Sequence, residues 1–169
     1  MESYFSGIWQ DQNFEHLEYS GYQLVDYVNA QEPSSVIDVG CGYNRFKGKI
    51  HRLIGIDPYN DAADIKSSIE DYRGVAFDIA LCLGSINFGD VDYQLERLHV
   101  LWRREAIFRV NPGIPHDWAD VADIQGIQWY HWTKDKIYQV AEQFNYNIKC
   151  LEEEYTKHGH LRYFFIYTK

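Results

Sequence analysis

The apolar positions of the chain fall into short continuous runs that alternate with stretches in which they recur every three or four residues. Continuous apolar runs bounded by Ser, Gly and Pro are typical of strands that are covered on both faces of a parallel sheet. Such runs occupy residues 35–39, 52–57, 77–88 and 106–110. The pattern therefore predicts an α/β protein with a buried, mostly parallel sheet.

The helical spacing predicts three helices, within residues 14–28, 90–104 and 134–144. Residues 64–72 are expected to form a short strand and a turn into a brief helix capped by Ser67 or Ser68. The last two strand-like runs, 146–155 and 161–168, are joined by five residues and predict an antiparallel hairpin.

The length of 169 residues is that of one compact domain. We expect residues 1–34 to form an N-terminal helical cap segment and residues 35–169 to form the domain itself. Tyr4 and Trp9 are candidates for a lid, and the alternative is that these rings only cover the core.

Candidate chemistry lies where the first two predicted strands end, at Asp38-Val39-Gly40-Cys41-Gly42 and at Asp57. The Gly-Cys-Gly turn lets a ligand lie against bare backbone. A dinucleotide site would need a third glycine where Arg45 stands, and Asp38 would repel a pyrophosphate. Asp38 instead favours a ligand that carries an ammonium and a sulfonium, and Asp57 can accept two hydrogen bonds from a ribose diol.

These residues resemble the first two motifs of the class I, Rossmann-like S-adenosylmethionine-dependent methyltransferases. The resemblance implies a three-layer α/β sandwich with a mostly parallel seven-stranded sheet in the order 3-2-1-4-5-7-6, and a C-terminal antiparallel hairpin. It covers residues 35–169 in topology and residues 36–57 in specific motif. It also implies S-adenosylmethionine as the cofactor, and methyl transfer to a small-molecule or peptide-sized acceptor.

By the same resemblance, the third strand and the turn after it would seat the adenine, between Ile65 and Ile69. The alternative is that this stretch is only a surface capping turn. Asn44 stands where many members of the family have a third glycine. The implied cofactor-binding residues are Asp38, Gly40, Cys41, Gly42, Asn44, Asp57, Pro58, Asp64, Ser68, Ile69, Leu83 and Gly84.

The aromatic segment 114–132 is a long connection of the kind that usually forms a lid or a binding loop. We expect it to lie over the cofactor, at the carboxyl ends of the strands. The candidate acceptor contacts are Asn87, Trp118, Trp129 and Trp132, and the candidate general bases are His116 and His131. The alternative is that the rings roof the core, and no metal-ligand spacing is present in the sequence.

A net charge of −9 and a pI near 5.1 argue against a nucleic-acid partner. The loop at residues 84–88 also lacks the Asx/Ser-Pro-Pro-aromatic signature of the enzymes that methylate the amino groups of bases. No apolar run approaches the roughly 18 residues of a membrane span, and no signal peptide is evident, so we expect a soluble, cytoplasmic protein with reduced thiols.

Two other functions remain open at this point. One is a catalytically silent Rossmann-like module that binds S-adenosylmethionine or a nucleotide, and the other is a different alkyl transfer from a cofactor of this type. The acceptor and the oligomeric state are also left open.

Overall fold

The computed structural model describes residues 23–113, 128–155 and 159–169, and its centre is a six-stranded sheet. The strands are β1 Val36–Val39, β2 Leu53–Ile56, β3 Phe77–Leu83, β4 Trp102–Val110, β5 Asn147–Tyr155 and β6 Leu161–Thr168. Their order is β2-β1-β3-β4-β6-β5. The first four strands run parallel, whereas β6 is antiparallel to both β4 and β5. The predicted parallel sheet with a C-terminal antiparallel hairpin is confirmed.

Helices cover both faces of this sheet. They are α1 Leu24–Asn29, α2 Val91–His99 and α3 Lys134–Phe144. Asp90 caps α2 by accepting a hydrogen bond from the Tyr93 amide, and Thr133 caps α3 in the same way through the Lys136 amide. Among the described residues, no helix has the length and apolar character needed to cross a bilayer.

The buried apolar side chains form two clusters, one on each face of the sheet. Leu95 of α2 and Val140 of α3 pack on one face, where they meet Phe108 of β4. Val28 of α1 packs on the other face, against a cluster that includes Leu81 of β3. Because side chains alternate between the faces of a strand, the two clusters define the three layers expected for the domain.

Helix α1 is fixed to the sheet by polar contacts as well. Glu105 of β4 accepts hydrogen bonds from Tyr27 Oη at 2.7 Å and from Gln31 Nε2 at 3.0 Å, and it also pairs with Lys149 of β5. The end of the predicted cap segment is therefore part of the packed domain. Tyr4, Trp9 and the remainder of that segment lie outside the described residues.

The third strand of the expected order is reduced to one parallel bridge between Ile56 and Ile65. The amides of Asp64 and Ile65 both donate to Gly55 O, at 2.9 and 3.2 Å, and the Asp57 amide donates to Ile65 O at 3.3 Å, so the contact with the edge of β2 is short. The predicted helix after it is a turn, in which Ser68 Oγ accepts from the Asp71 amide. The described sheet thus has six strands, and the other neighbours are in the expected order.

Candidate functional site

Asp38 lies in the middle of the sheet, on β1, and is only 1% exposed. Its Oδ2 has no hydrogen-bond partner among the described residues. Burial, together with the negative charge of nearby Asp57, raises the pKa of Asp38 to about 8. A buried carboxyl group with an unpaired oxygen is costly to the fold, and a cationic ligand at this point would relieve that cost.

The turn after β1 is held against the end of β2. The amides of Gly40 and Cys41 both donate to Ile56 O, at 2.8 and 3.0 Å. Gly40 has a φ of +67°, and a Cβ placed on it would overlap the Cβ of Ser85 in the loop after β3. Glycine is therefore required at position 40, both for its backbone conformation and for the close approach of the two loops.

Asp57 follows β2 and faces the same turn. Its Oδ2 accepts from the Gly42 amide at 3.0 Å, and its Oδ1 accepts from the amides of Tyr59 and Asn60 at 2.8 and 2.9 Å. A carboxylate offers about four acceptor positions, so these bonds leave about one for a ligand. Because Asp57 also fixes two turns, it has room for one of the two ribose hydrogen bonds expected from the sequence, and the ribose contact itself stays a prediction.

Asn44 and Asp64 tie the loop after β1 to the edge of β2. Asp64 Oδ2 accepts from Gly55 N at 2.8 Å and from Asn44 Nδ2 at 3.1 Å, and Oδ1 pairs with Lys47. Burial acts to raise the pKa of Asp64, but the hydrogen bonds from Lys47, Gly55 and Asn44 hold it below its usual range. Asn44 has a φ of +51°, a left-handed conformation that asparagine tolerates. The Asp64 carboxylate is thus used within the protein, whereas Asn44 uses only Nδ2 and its buried Oδ1 has no hydrogen-bond partner among the described residues.

Other buried polar atoms near the turn also have no hydrogen-bond partner. Asn60 Nδ2 follows β2, and Ser85 Oγ belongs to the loop that contacts Gly40. Buried polar groups normally have partners, so orphaned atoms in the loops after β1, β2 and β3 favour a missing polar ligand. Sequence reasoning missed both residues. Their signal is position, since each follows the carboxyl end of a parallel strand.

The other predicted cofactor residues lie around these loops. Cys41 is buried, and burial first, then the charges of Asp38, Asp57 and Asp64, raise the pKa of its thiol. Pro58 directly follows Asp57 in the turn, and Gly84 has a φ of +93° with open space where a Cβ would lie. Leu83 is partly buried at the end of β3.

Ser68 and Ile69 are placed differently from the adenine wall that was expected. Ser68 caps its own turn through Asp71, and Ile69 is buried in the core cluster on the face of α2 and α3. Ile65, the other predicted adenine contact, is exposed. The alternative of a capping turn thus describes this stretch well, and its contact with adenine stays a prediction.

Asn87 is fully buried and joins three loops. Its Nδ2 donates to Gly84 O, its Oδ1 accepts from the Asn111 amide, and its backbone oxygen accepts from the Tyr130 amide, at 2.9–3.0 Å. The expected acceptor contact does not agree with this burial, because both ends of the amide are occupied. Asn87 is better described as a positioning residue.

Trp132 is also fully buried, in the core on the face of α2 and α3. Its Nε1 donates to Ile86 O at 2.7 Å, and its ring centroid lies 5.7 Å from that of Phe165. The expectation that Trp132 lines an acceptor pocket is therefore replaced by the alternative, that it roofs the core. A single sequence could not decide this, because the pattern does not show which way a loop residue points.

Replacing Trp132 with alanine should lower the free energy of unfolding by about 3–5 kcal/mol, because a large buried ring and its hydrogen bond are lost. Chemical denaturation measures this change. The matched control is Tyr138→Ala on the exposed side of α3, where a change within about 0.5 kcal/mol is expected. An unchanged stability of Trp132→Ala would contradict the core assignment.

Trp129 and His131 remain at the surface of this region. The ring centroid of Trp129 lies 4.6 Å from that of Phe88, and the ring is partly exposed. His131 is exposed, with Nδ1 at 3.4 Å from Pro112 O. His116 and Trp118 lie outside the described residues. Within the described ranges, no group of three or more His, Cys, Asp or Glu residues is arranged to hold a metal ion.

Comparison with known proteins gives matches among solved structures. The sequence matches no protein-family model, and the search of curated proteins found no match. A 1,6-didemethyltoxoflavin-N1-methyltransferase from Burkholderia thailandensis, with 1,6-didemethyltoxoflavin and S-adenosylhomocysteine bound, has a TM-score of 0.73 and 17% identity. The match covers 99% of this chain and 86% of that chain.

Two further structures show the same similarity. The N-methyltransferase NodS from Bradyrhizobium japonicum, in complex with S-adenosylhomocysteine, has a TM-score of 0.73 at 10% identity, covering 99% of this chain and 97% of that chain. The magnesium protoporphyrin IX methyltransferase from Synechocystis, with S-adenosylhomocysteine bound, has a TM-score of 0.69 at 14% identity, covering 87% and 80%. The chain therefore has the Rossmann-like fold of the S-adenosylmethionine-dependent methyltransferases, as its first two motifs led us to expect.

Proposed function

We propose that the protein is an S-adenosylmethionine-dependent methyltransferase that acts on a small-molecule acceptor. The observation that carries the proposal is the buried Asp38 carboxyl group, whose Oδ2 has no partner among the described residues, beside a turn that admits no side chain at Gly40. A dinucleotide would bring a pyrophosphate to this turn, where the acidic groups of Asp38 and Asp57 together disfavour further negative charge.

The residues of the site fit the cofactor in charge and in shape. Asp38 would hold its cationic amino-acid end, and the backbone of residues 40–42 would lie against it. The one remaining acceptor position of Asp57 would take a ribose hydroxyl. Asn60 Nδ2 and Ser85 Oγ would gain the partners that they lack among the described residues. In this proposal the predicted cofactor residues divide into those that contact the ligand and those, such as Asn44 and Asp64, that hold the loops.

When bound, the cofactor supplies an activated methyl group, so the chain has mainly to orient the acceptor and exclude water. The loop after β3 is rigid enough for this task, because Asn87 fixes it to the turns at Asn111 and Tyr130. Trp118 and Trp129 remain candidate acceptor contacts, and His116 and His131 remain candidate general bases. A general base is needed only for an acceptor that must lose a proton.

The size of the acceptor is inferred from the net charge of the protein and from a solved structure with a similar fold. The net charge of −9 disfavours nucleic acid, and the structure from Burkholderia thailandensis has 1,6-didemethyltoxoflavin and S-adenosylhomocysteine bound. Both observations support a small acceptor.

A thermal-shift panel tests the proposal: S-adenosylmethionine, S-adenosylhomocysteine, decarboxylated S-adenosylmethionine, NAD and NADP. At about 100 times its dissociation constant, a ligand of the folded state adds about 2.7 kcal/mol to stability, which raises the melting temperature measurably. We expect the S-adenosyl compounds to stabilise the protein, and NAD and NADP to leave it unchanged. Stabilisation by NAD alone would contradict the proposal.

A further inference from the structure

A second buried charge lies near the proposed cofactor site, on β4. The side chain of Arg109 is 4% exposed and forms a two-pronged ion pair with Glu154 of β5, with Nε–Oε2 at 2.6 Å and Nη2–Oε1 at 2.9 Å. The Arg109 guanidinium also lies 5.5 Å from the ring centroid of Phe164 on β6. A bidentate pair of this kind fixes both side chains and their charges in place.

A second guanidinium, that of Arg162, lies close to the same carboxylate. Arg162 of β6 stands directly opposite Glu154 in the register of the hairpin, and it is partly buried. Burial and the positive charge of Arg109 lower the pKa of Arg162, and Glu154 opposes this effect. Among the described residues, the side chain of Arg162 forms no hydrogen bond and no ion pair. Glu154 is engaged by Arg109, and Glu152, the next carboxylate along β5 on this face, is exposed and lies opposite Phe164. The donors of the Arg162 guanidinium are therefore open to a ligand.

The strand register places Arg109 on the same face of the sheet as Asp38. Asp38 is paired with Leu81 on β3, and two residues further on Leu83 is paired with Arg109 on β4. Paired residues of neighbouring strands point to the same face, as do residues two apart in one strand. Arg109 is therefore beside the last residue of β3, and its carbonyl accepts from the Gly84 amide at 2.8 Å.

Apolar side chains lie on both sides of Arg109 on this face of the sheet. Leu83 and Phe164 are partly buried and belong to the cluster on this face of the sheet. A planar, apolar ligand could cover both side chains while its anionic group reaches Arg162. A guanidinium matches the planar geometry of a carboxylate better than that of a single-atom anion.

We propose that Arg162, held beside the Arg109–Glu154 pair, binds the carboxylate of the acceptor, so that the acceptor is a small aromatic carboxylic acid. This inference rests on the proposed function, because it names the acceptor class of the same site. Arg162 is then a specificity-determining residue, and Arg109 and Glu154 are positioning residues that set its surroundings.

Benzoate and benzamide are matched probes of this site, since they differ in charge but hardly in shape. Their affinities are measured by calorimetry with the protein saturated with S-adenosylhomocysteine. We expect wild-type protein to bind benzoate at least about 10-fold more tightly than benzamide, the discrimination that a charged hydrogen bond provides. Arg162→Met should remove that preference and leave benzamide affinity within about twofold.

The matched control is Arg103→Met, which removes one positive charge from a side chain that is 59% exposed and should leave both affinities unchanged. Arg162→Gln is the second variant if Arg162→Met does not fold. S-adenosylhomocysteine affinity is measured for every variant and should equal that of the wild-type protein. A wild-type protein that does not bind S-adenosylhomocysteine would contradict the proposed function, not this inference. The inference would be overturned if benzoate bound to the wild-type protein no more tightly than benzamide, or if it bound equally well to the wild-type protein and to Arg162→Met. Tighter binding of phenyl phosphate than of benzoate would also overturn it.

Discussion

Asp57→Ala is expected to weaken S-adenosylhomocysteine binding by at least about 10-fold, the loss that follows from one hydrogen bond to a charged acceptor, worth about 1.5–3 kcal/mol. The amides of Gly42, Tyr59 and Asn60 would lose their acceptor as well. The turn that carries the cofactor would then be less ordered, and the melting temperature of the ligand-free protein should fall. Calorimetry and thermal unfolding measure the two effects separately.

Asp61→Ala is the matched control for this change. Asp61 lies four residues further on, and its side chain is 92% exposed and paired only with the exposed Lys66 among the described residues. Removing it should leave both the affinity and the melting temperature unchanged. If Asp57→Ala bound S-adenosylhomocysteine as tightly as the control, the ribose would have to lie elsewhere.

The affinity for S-adenosylmethionine should rise with pH, by about 10-fold from pH 6 to 7 and by about 5-fold from pH 7 to 8, as the ionised fraction of Asp38 increases. In the ligand-free protein, burial and Asp57 raise the pKa of Asp38 to about 8, so most of the carboxyl groups carry a proton at pH 7. A cationic ligand binds better to the ionised form, and its binding therefore releases the proton. The charged group that acts on Asp38 is Asp57, which disfavours its ionisation, and Asp38 in turn contributes to the raised pKa of the Cys41 and Cys82 thiols.

Stability of the ligand-free protein should have the opposite pH dependence. The pKa of Asp38 is higher in the folded state than in the unfolded chain, so its contribution is fully present below about pH 4 and is lost as the pH rises through about 8. Asp38→Asn keeps the shape of the side chain and removes its ionisation.

Calorimetry of S-adenosylmethionine binding in two buffers of different ionisation enthalpy counts the protons released. We expect close to one proton released per bound ligand for the wild-type protein at pH 7, and no proton released for Asp38→Asn. A wild-type affinity that does not change between pH 6 and 8 would show that Asp38 does not meet the cationic end of the ligand.

The sequence was sufficient to predict where the residues at the carboxyl ends of the strands lie. Asp38, Gly40 and Asp57 each lie at or just after a short apolar run, and parallel strands bring their carboxyl ends to one edge of the sheet. Helices α2 and α3 were predicted because their apolar positions recur at helical spacing and their cap residues precede them.

The features that the sequence did not predict depend on contacts between distant residues, which the pattern of apolar and polar positions does not show. The third strand is reduced to a bridge because the amides of Asp64 and Ile65 converge on a single carbonyl, that of Gly55. Asn87 and Trp132 were assigned to the acceptor site because polar and aromatic loop residues suit it, yet both point into the protein. The pairing of Arg109 with Glu154 joins residues 45 positions apart, and no local pattern indicates it.

The most direct test of the account is a crystal structure of the complex with S-adenosylhomocysteine. We expect the amino group of the ligand within hydrogen-bond distance of Asp38, its backbone-facing side against residues 40–42, and a ribose hydroxyl at the free position of Asp57. A ligand bound away from the Gly40 turn, or one that leaves Asp38 without a partner, would contradict the central claim.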